Sequence, residues 1–548
     1  MEEKRVVRKV VRKRRKNKLP FFFGVFVAII ICIIVIVKVK STSDEPNNQE
    51  EFENNSIQSI DVQGEEKRQG YAVSSSRKEA VKVAEDILEN GGNAVDAAVA
   101  MSYTLAVVEP SSSGLGGGGC MVIYDPDAEE YFFYDYTAEA AESGCSKTIM
   151  VPGFVNGMEM INRDLGTMDI KQLIEPAIAY CDGIKISKEL SNRISNASGV
   201  ISKESAFYQN GRWLSEGDEL IQEELKGTLE TIVKDGAESF YKGSLAQEIA
   251  NKTGMTLSDL ANYETKCSKP IVGKYLDYEV ASAVVPYSGA TLIQMLKMAE
   301  KLDIPNPKEN SKGFIDGLRN ITAISHVDRI KNVYDFDDFD KANSLVTESY
   351  INNLLATSME NISYEEDESE DTTAFTVIDK NGMVVSCTNT LSSFFGCKES
   401  VGGFFLNNSG RNFGTGVNAY QPGKRPRTHI APSILKSDDE VFAIASPGGN
   451  VIVKILGTVI IDICQYETEP QEAVDKQRIL FKDSSLIYYE IGHDTDPLVK
   501  VTGAGFPAVP ITNHPYFGCV SISGYNEENG FYAAADFRRQ GECSDYNE

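Results

Sequence analysis

Asp371-Thr372-Thr373-Ala374-Phe375-Thr376-Val377-Ile378-Asp379-Lys380-Asn381-Gly382 is the stretch from which this chain is read. Residues 372–378 are rich in β-branched and aromatic side chains, Asn381-Gly382 is a hairpin turn signal, and residues 383–390 return as a second strand. An acidic run, Glu365-Glu366-Asp367-Glu368-Ser369-Glu370-Asp371, leads directly into it. A polar segment therefore meets a buried hairpin, with Thr-Thr at the junction. Cut before Thr372, the chain would present a threonine hydroxyl beside its own free α-amine, a nucleophile that carries its base. Uncut, Thr372 is an ordinary threonine opening a strand.

Downstream, strands are expected at 433–436 and 441–445. They lead into Ser446-Pro447-Gly448-Gly449-Asn450 and an apolar helix at 451–464. A strand–Pro-Gly-Gly–helix junction aims backbone N–H groups at one point, which suits an anion or oxyanion; a plain tight turn is the other reading. Upstream, Ser76 with Glu79 reads as a capping box. Ala80, Val83, Ala84, Ile87 and Leu88 fall on one helical face, and Gly91-Gly92 ends that helix. Asn93 caps a second helix over 94–107, apolar all round and so buried. Gly114, Gly116 and Gly119 match G-x-G-x-x-G, but a helix precedes them and a strand at 121–124 follows. That order is the reverse of a dinucleotide site, and the glycines read instead as places of close backbone approach. Residues 151–263 are mainly helical. A strand at 281–285 turns at 286–290 into a helix at 291–302, with another around 315–333.

The 548 residues carry a formal net charge of −26. The first 40 hold twelve Lys/Arg against two Glu, so the remainder stands at −36. Such a surface argues against nucleic acid as a partner. Residues 1–20 read as a basic cytosolic tail, 21–37 as an unbroken apolar signal anchor of 17 residues, and 38–68 as a polar linker. A cleaved signal peptide is the rival for 21–37, but no small-residue cleavage site follows directly. The implied location is the cell membrane, single-pass, with the N-terminus cytosolic and the large domain outside. Nine scattered cysteines after Cys32 form no C-x-x-C pair, and the pairing of Cys519 with Cys543 stays open. His326, His429, His493 and His514 form no ligand-spaced pair, so neither a metal nor a cofactor is implied. Sequons begin at Asn54, Asn196, Asn251, Asn320, Asn361 and Asn407.

Taken in order, Gly91-Gly92-Asn93-Ala94-Val95-Asp96-Ala97-Ala98, Gly114-Leu115-Gly116-Gly117-Gly118-Gly119, Pro152-Gly153, Asp371-Thr372-Thr373, Leu406-Asn407-Asn408, Lys424-Arg425-Pro426 and Ser446-Pro447-Gly448-Gly449 resemble the γ-glutamyltranspeptidase family of N-terminal nucleophile hydrolases, over roughly residues 70–540. The resemblance implies an α/β fold, a four-layer αββα sandwich, made as one precursor that cuts itself. Here that gives a large part at 69–371 and a small part at 372–548 that remain together as a heterodimer. It implies a γ-glutamyltransferase or hydrolase acting on glutathione-type γ-glutamyl amides, with an amino acid, peptide or water as acceptor. Thr372 matches the nucleophile, Thr390 the threonine that hydrogen-bonds it, and Gly448 and Gly449 the oxyanion-hole glycines.

The substrate end departs from the family pattern. The arginine that grips the α-carboxylate falls on Thr137, and the asparagine two residues past Thr390 is Ser392. The acid that holds the α-amino group is Asn412, and a Ser-Ser pair is Thr428-His429. Threonine cannot grip a carboxylate bidentately as arginine does. Arg427, beside Thr428, is the candidate replacement cation; a solvated loop arginine is its plainer reading. The alternatives to the family activity are a shifted acyl specificity, or a weakly active or inactive surface binding protein.

Overall fold

Alternation along β1 (Gly70–Ser75) sets the layering. Tyr71 and Val73 enter one hydrophobic core, Ala72 enters a second, and the Ser74 hydroxyl donates to the Ala534 carbonyl at 2.7 Å. The same alternation runs along β7 (Asp371–Ile378), where Phe375 and Val377 face the first core and Ile378 the second. The structure is a computed structural model and describes residues 70–356, 371–482, 486–491 and 507–547. The chain divides into units Met1–Glu65 and Glu66–Glu548, and the described residues belong to the second. The expected tail, anchor and linker, the acidic run before Asp371 and His493 lie outside them. Among the described residues no helix is long and apolar enough to cross a membrane.

The strands of the two main sheets are, in chain order, β1, β2 (Gly118–Asp125), β3 (Glu130–Asp135), β4 (Lys266–Ser268), β5 (Ile271–Tyr275), β6 (Tyr278–Ser282), β7, β8 (Val384–Ser392), β9 (Ser433–Lys436), β10 (Glu440–Ala445), β11 (Ser521–Asn526), β12 (Gly530–Ala535) and β13 (Glu542–Asn547). One sheet has the order β13-β1-β7-β8-β2-β3-β4 and the other β12-β11-β10-β9-β6-β5. Helices α1 (Lys78–Glu89) and α2 (Ala94–Val108) share the first core with the outer face of the first sheet. Helices α3 (Gly289–Leu302), α4 (Pro307–Asn332) and α5 (Ile452–Cys464) share the second core with the other sheet. Where the sheets face each other, Thr376 meets Ser523 at 2.8 Å and Ser386 donates to the Ile444 carbonyl at 2.9 Å. This is the expected four-layer αββα sandwich.

Local signals in the sequence explain most of these elements. All fifteen residues of α2 are buried, and Asn93 with Asp96 forms its capping box. The hairpin turn is tied to the start of that helix, because the Ala94 N–H donates to the Asp379 carboxylate at 2.8 Å. The glycine run permits the close approach expected of it. A Cβ added at Gly116 or Gly117 would lie 2.1 Å from the Phe405 carbonyl oxygen or 2.3 Å from that of Thr390.

Two readings are corrected and one left open is decided. Ser76 does not cap α1: the N-cap is Arg77, and the Ser76 hydroxyl donates to Glu109 at 2.8 Å instead. Cys519 and Cys543 are both free; Cys519 is buried with its thiol toward the Asp536 carbonyl. The strand expected at 281–285 is Tyr278–Ser282, because pairing with β9 stops at Ser282. The Asn407 side chain is fully buried and clamps Gly116 to Met150 through three hydrogen bonds, so the folded chain does not present that sequon.

Arg425 welds residues before Thr372 to residues after it. Its side chain is wholly inaccessible and meets Asp135 at 2.7 Å and Glu139 at 3.1 Å, while also donating to the Glu264 carbonyl at 2.8 Å. Removing one partner of such a buried set strands the other charges. Arg425→Ala is expected to cost about 3–5 kcal/mol of stability, read as a lower denaturant midpoint by far-UV circular dichroism. A midpoint equal to wild type would remove this role.

Candidate active site

The hairpin ladder places Thr372 opposite Thr390. Asp371, one residue earlier, pairs with Ser392 rather than Leu391, so the register slips at the Asp371–Thr372 peptide. A bulge of this kind bends a strand and re-aims side chains, and bulges gather next to active sites. The skipped Leu391 has partners elsewhere: its N–H donates to the Ser112 carbonyl at 2.9 Å and its carbonyl accepts from Asn408 at 3.2 Å. Ser392 then takes a left-handed φ of 78°. Its N–H donates to the Thr390 hydroxyl at 2.7 Å, which offsets part of that strain. The Ser392 hydroxyl donates to the Asn412 side-chain carbonyl at 3.2 Å. Thr372, Thr390, Ser392 and Asn412 are thus joined through one bulged strand end.

The second sheet supplies the facing wall. β10 ends at Ala445, and Gly448 follows with φ 137° and Gly449 with φ 60°, both in the region that favours glycine. The Gly448 N–H donates to the Thr372 hydroxyl oxygen at 3.2 Å. A backbone donor this close to the oxygen of a nucleophile candidate lies beside the place where the carbonyl oxygen of an attacked acyl group would become an oxyanion. Thr428 and His429 enter β9 from the same sheet end, since Ser433 pairs with Ile444. The Thr428 carbonyl accepts from Ser288 at 2.7 Å. Burial pushes the His429 imidazole well below its ordinary value, and Arg329, His326, Lys454 and Arg427 push the same way, so the ring is neutral. Burial pushes His326 down to about 3, with Arg329, Lys454 and Arg427 acting in the same direction.

The expected replacement cation is engaged at the end of a helix. One guanidinium nitrogen of Arg427 donates to the carbonyls of Ile330, Arg329 and Val333 at 2.9, 3.3 and 3.4 Å. These are the last carbonyls of α4, the groups a helix C-terminus leaves open to a cationic side chain. Thr137 is buried, with its N–H on Asp135 and its carbonyl accepting from the Tyr263 hydroxyl.

Three further residues at the start of β7 were not singled out as functional by sequence reasoning. Arg539, buried, donates to the Thr372 carbonyl at 3.4 Å. The Thr373 hydroxyl donates to Glu109 at 2.7 Å. Glu109 is fully buried, and burial alone would push its carboxyl up. Arg77, Arg193, the Thr373 hydroxyl and Arg539 hold it below the ordinary carboxylate range. Only Glu109 carried a signal, an acid between an apolar helix and Pro110.

The family model described as Gamma-glutamyltranspeptidase matches residues 80–546. The chain is 38% identical over 491 residues to the capsule biosynthesis protein CapD proenzyme of Bacillus anthracis, covering 88% of this chain and 92% of that protein. It is 31% identical over 535 residues to the glutathione hydrolase proenzyme of Bacillus subtilis (strain 168), covering 86% and 90%. Among solved structures, the cephalosporin acylase of Bacillus halodurans shares the fold with a TM-score of 0.78 at 20% identity, covering 90% of this chain and 99% of that one.

Proposed function

The chain belongs to the gamma-glutamyltranspeptidase family, and from that premise we propose that it is a self-cleaving acyltransferase or amidohydrolase that works through an acyl-enzyme on Thr372. The observation that carries this reading is the Gly448 N–H directed at the Thr372 hydroxyl oxygen, 3.2 Å away, at a break in the ladder. In the precursor the Thr372 hydroxyl attacks the Asp371 carbonyl. The acyl group shifts from nitrogen to oxygen, water releases it, and the freed α-amine becomes the base for attack on a substrate amide. Gly448, with Gly449 beside it, stabilises the oxyanion in both rounds. The two fragments stay together as a heterodimer, which the buried Arg425 set supports. Both relatives are named as proenzymes, which fits a chain that is processed.

The donor in this reading is a γ-glutamyl-type amide whose free α-amino and α-carboxylate groups are not gripped as charges. Thr137 and Asn412 stand where the family places an arginine and an acid, and Arg427 is turned to a helix end. The greater identity to a relative named for capsule biosynthesis than to one named for glutathione hydrolysis favours such a shift. The apolar run at 21–37 after ten Lys/Arg supports anchoring with the catalytic unit outside the cell. The test compares γ-glutamyl anilide with the same anilide blocked at its α-carboxylate. Blocking is expected to change kcat/KM by no more than about threefold, whereas an intact charged clamp would lose about 100-fold; a loss of that size would contradict the shifted specificity.

A further inference from the structure

Glu109 follows α2 and sits directly behind the start of β7, at Thr373. Its carboxylate accepts from Thr373 at 2.7 Å, Ser76 at 2.8 Å and Ser112 at 3.2 Å. Ser76 and Thr373 also approach each other at 3.1 Å, closing a triangle of two hydroxyls and one carboxylate. Arg193 and Arg77 flank the same carboxylate at 3.5 and 3.9 Å, and Arg77 also meets Glu189 at 3.6 Å. Glu109 and Thr373 are at most 1% exposed. A buried anion that accepts from three hydroxyls and lies between two guanidinium groups is a fixed post, because moving it would break several of these contacts at once.

The post touches the strand one residue past the nucleophile candidate, on the opposite face. Successive strand residues point to opposite sides, so fixing Thr373 from below fixes where Thr372 points above. Arg539 completes the frame. It adds to the positive field on Glu109 and also donates to the Thr372 carbonyl at 3.4 Å. We propose that Glu109 is a positioning residue for the reaction: through Thr373 it holds the first residues of β7 so that the Thr372 hydroxyl stays on the Gly448 N–H. The carboxylate itself exchanges no proton with the substrate and makes no bond to it. This rests on the reading of Thr372 as nucleophile.

The test uses the full processed chain and three variants. Glu109→Gln keeps the shape and removes the charge. It is expected to slow self-cleavage and to lower kcat about tenfold or more with KM within about twofold, as for a small misplacement of a reacting group. Thr373→Val removes only the hydroxyl and is expected to lower kcat in the same way, and Thr373→Ser, which restores the hydroxyl, to recover most of the loss. Thermal midpoints establish that each variant is folded; if Glu109→Gln does not fold, the Thr373 pair carries the test. A purely packing role predicts no difference between Thr373→Val and Thr373→Ser in kcat. Wild-type kcat in Glu109→Gln, or equal kcat in the two Thr373 variants, overturns the proposal while wild-type turnover leaves the nucleophile reading standing. A wild-type chain that neither cuts itself nor turns over an amide overturns that reading, and this one with it.

Discussion

Thr372→Ala is expected to leave the purified chain uncut and to lower amide turnover by roughly 10^4- to 10^6-fold, the range seen when a nucleophile is removed from an acyl-transfer site. Two losses coincide in this variant. The hydroxyl that attacks is gone, and without cleavage no α-amine is freed to act as base. Thr372→Ser separates folding from chemistry, because it keeps an oxygen within reach of the Gly448 N–H, 3.2 Å away in the native chain. It should still cut itself, more slowly, since the serine lacks the methyl group that restricts χ1. Reducing gel electrophoresis over a time course and steady-state rates measure both effects. Two fragments from Thr372→Ala would show that cleavage does not depend on this side chain.

The second large effect is expected at Gly448. Its φ of 137° is open to glycine and costly for any other residue, and an added Cβ would meet the Val451 side chain at 2.9 Å. Gly448→Ala therefore moves the N–H that faces Thr372. Losing one oxyanion donor costs about 10^2- to 10^3-fold in kcat. Because the donor acts on charge that develops only in the transition state, KM should change little. The thermal midpoint of the variant reports the backbone strain separately. Unchanged kcat would mean that the Gly448 N–H is not an oxyanion donor in the reaction.

What could be read in the sequence follows the range of the forces involved. The 371–392 hairpin, the helix after Gly449 and the buried α2 are set by local periodicity, turn residues and caps, and each stands where that pattern put it. Ser76 shows how a local rule fails. Glu79 lies at capping-box spacing, yet the serine hydroxyl goes to Glu109, which the fold brings to it from 33 residues away. The bulge at Leu391 depends on Ser112 and Asn408, and the carbonyl contact of Arg539 spans 167 residues, so neither leaves a mark in a sequence window. Arg427 carries a charge whose direction the sequence does not encode. The open carbonyls at the end of α4 took it.

The central claim is that Thr372 becomes a chain terminus. Intact mass and N-terminal sequencing of the fragments of the purified wild-type protein test it most directly. The account predicts a small fragment of residues 372–548 that begins Thr-Thr-Ala-Phe and stays bound to the large one until denatured. A single uncut chain, or a small fragment with any other first residue, would contradict it.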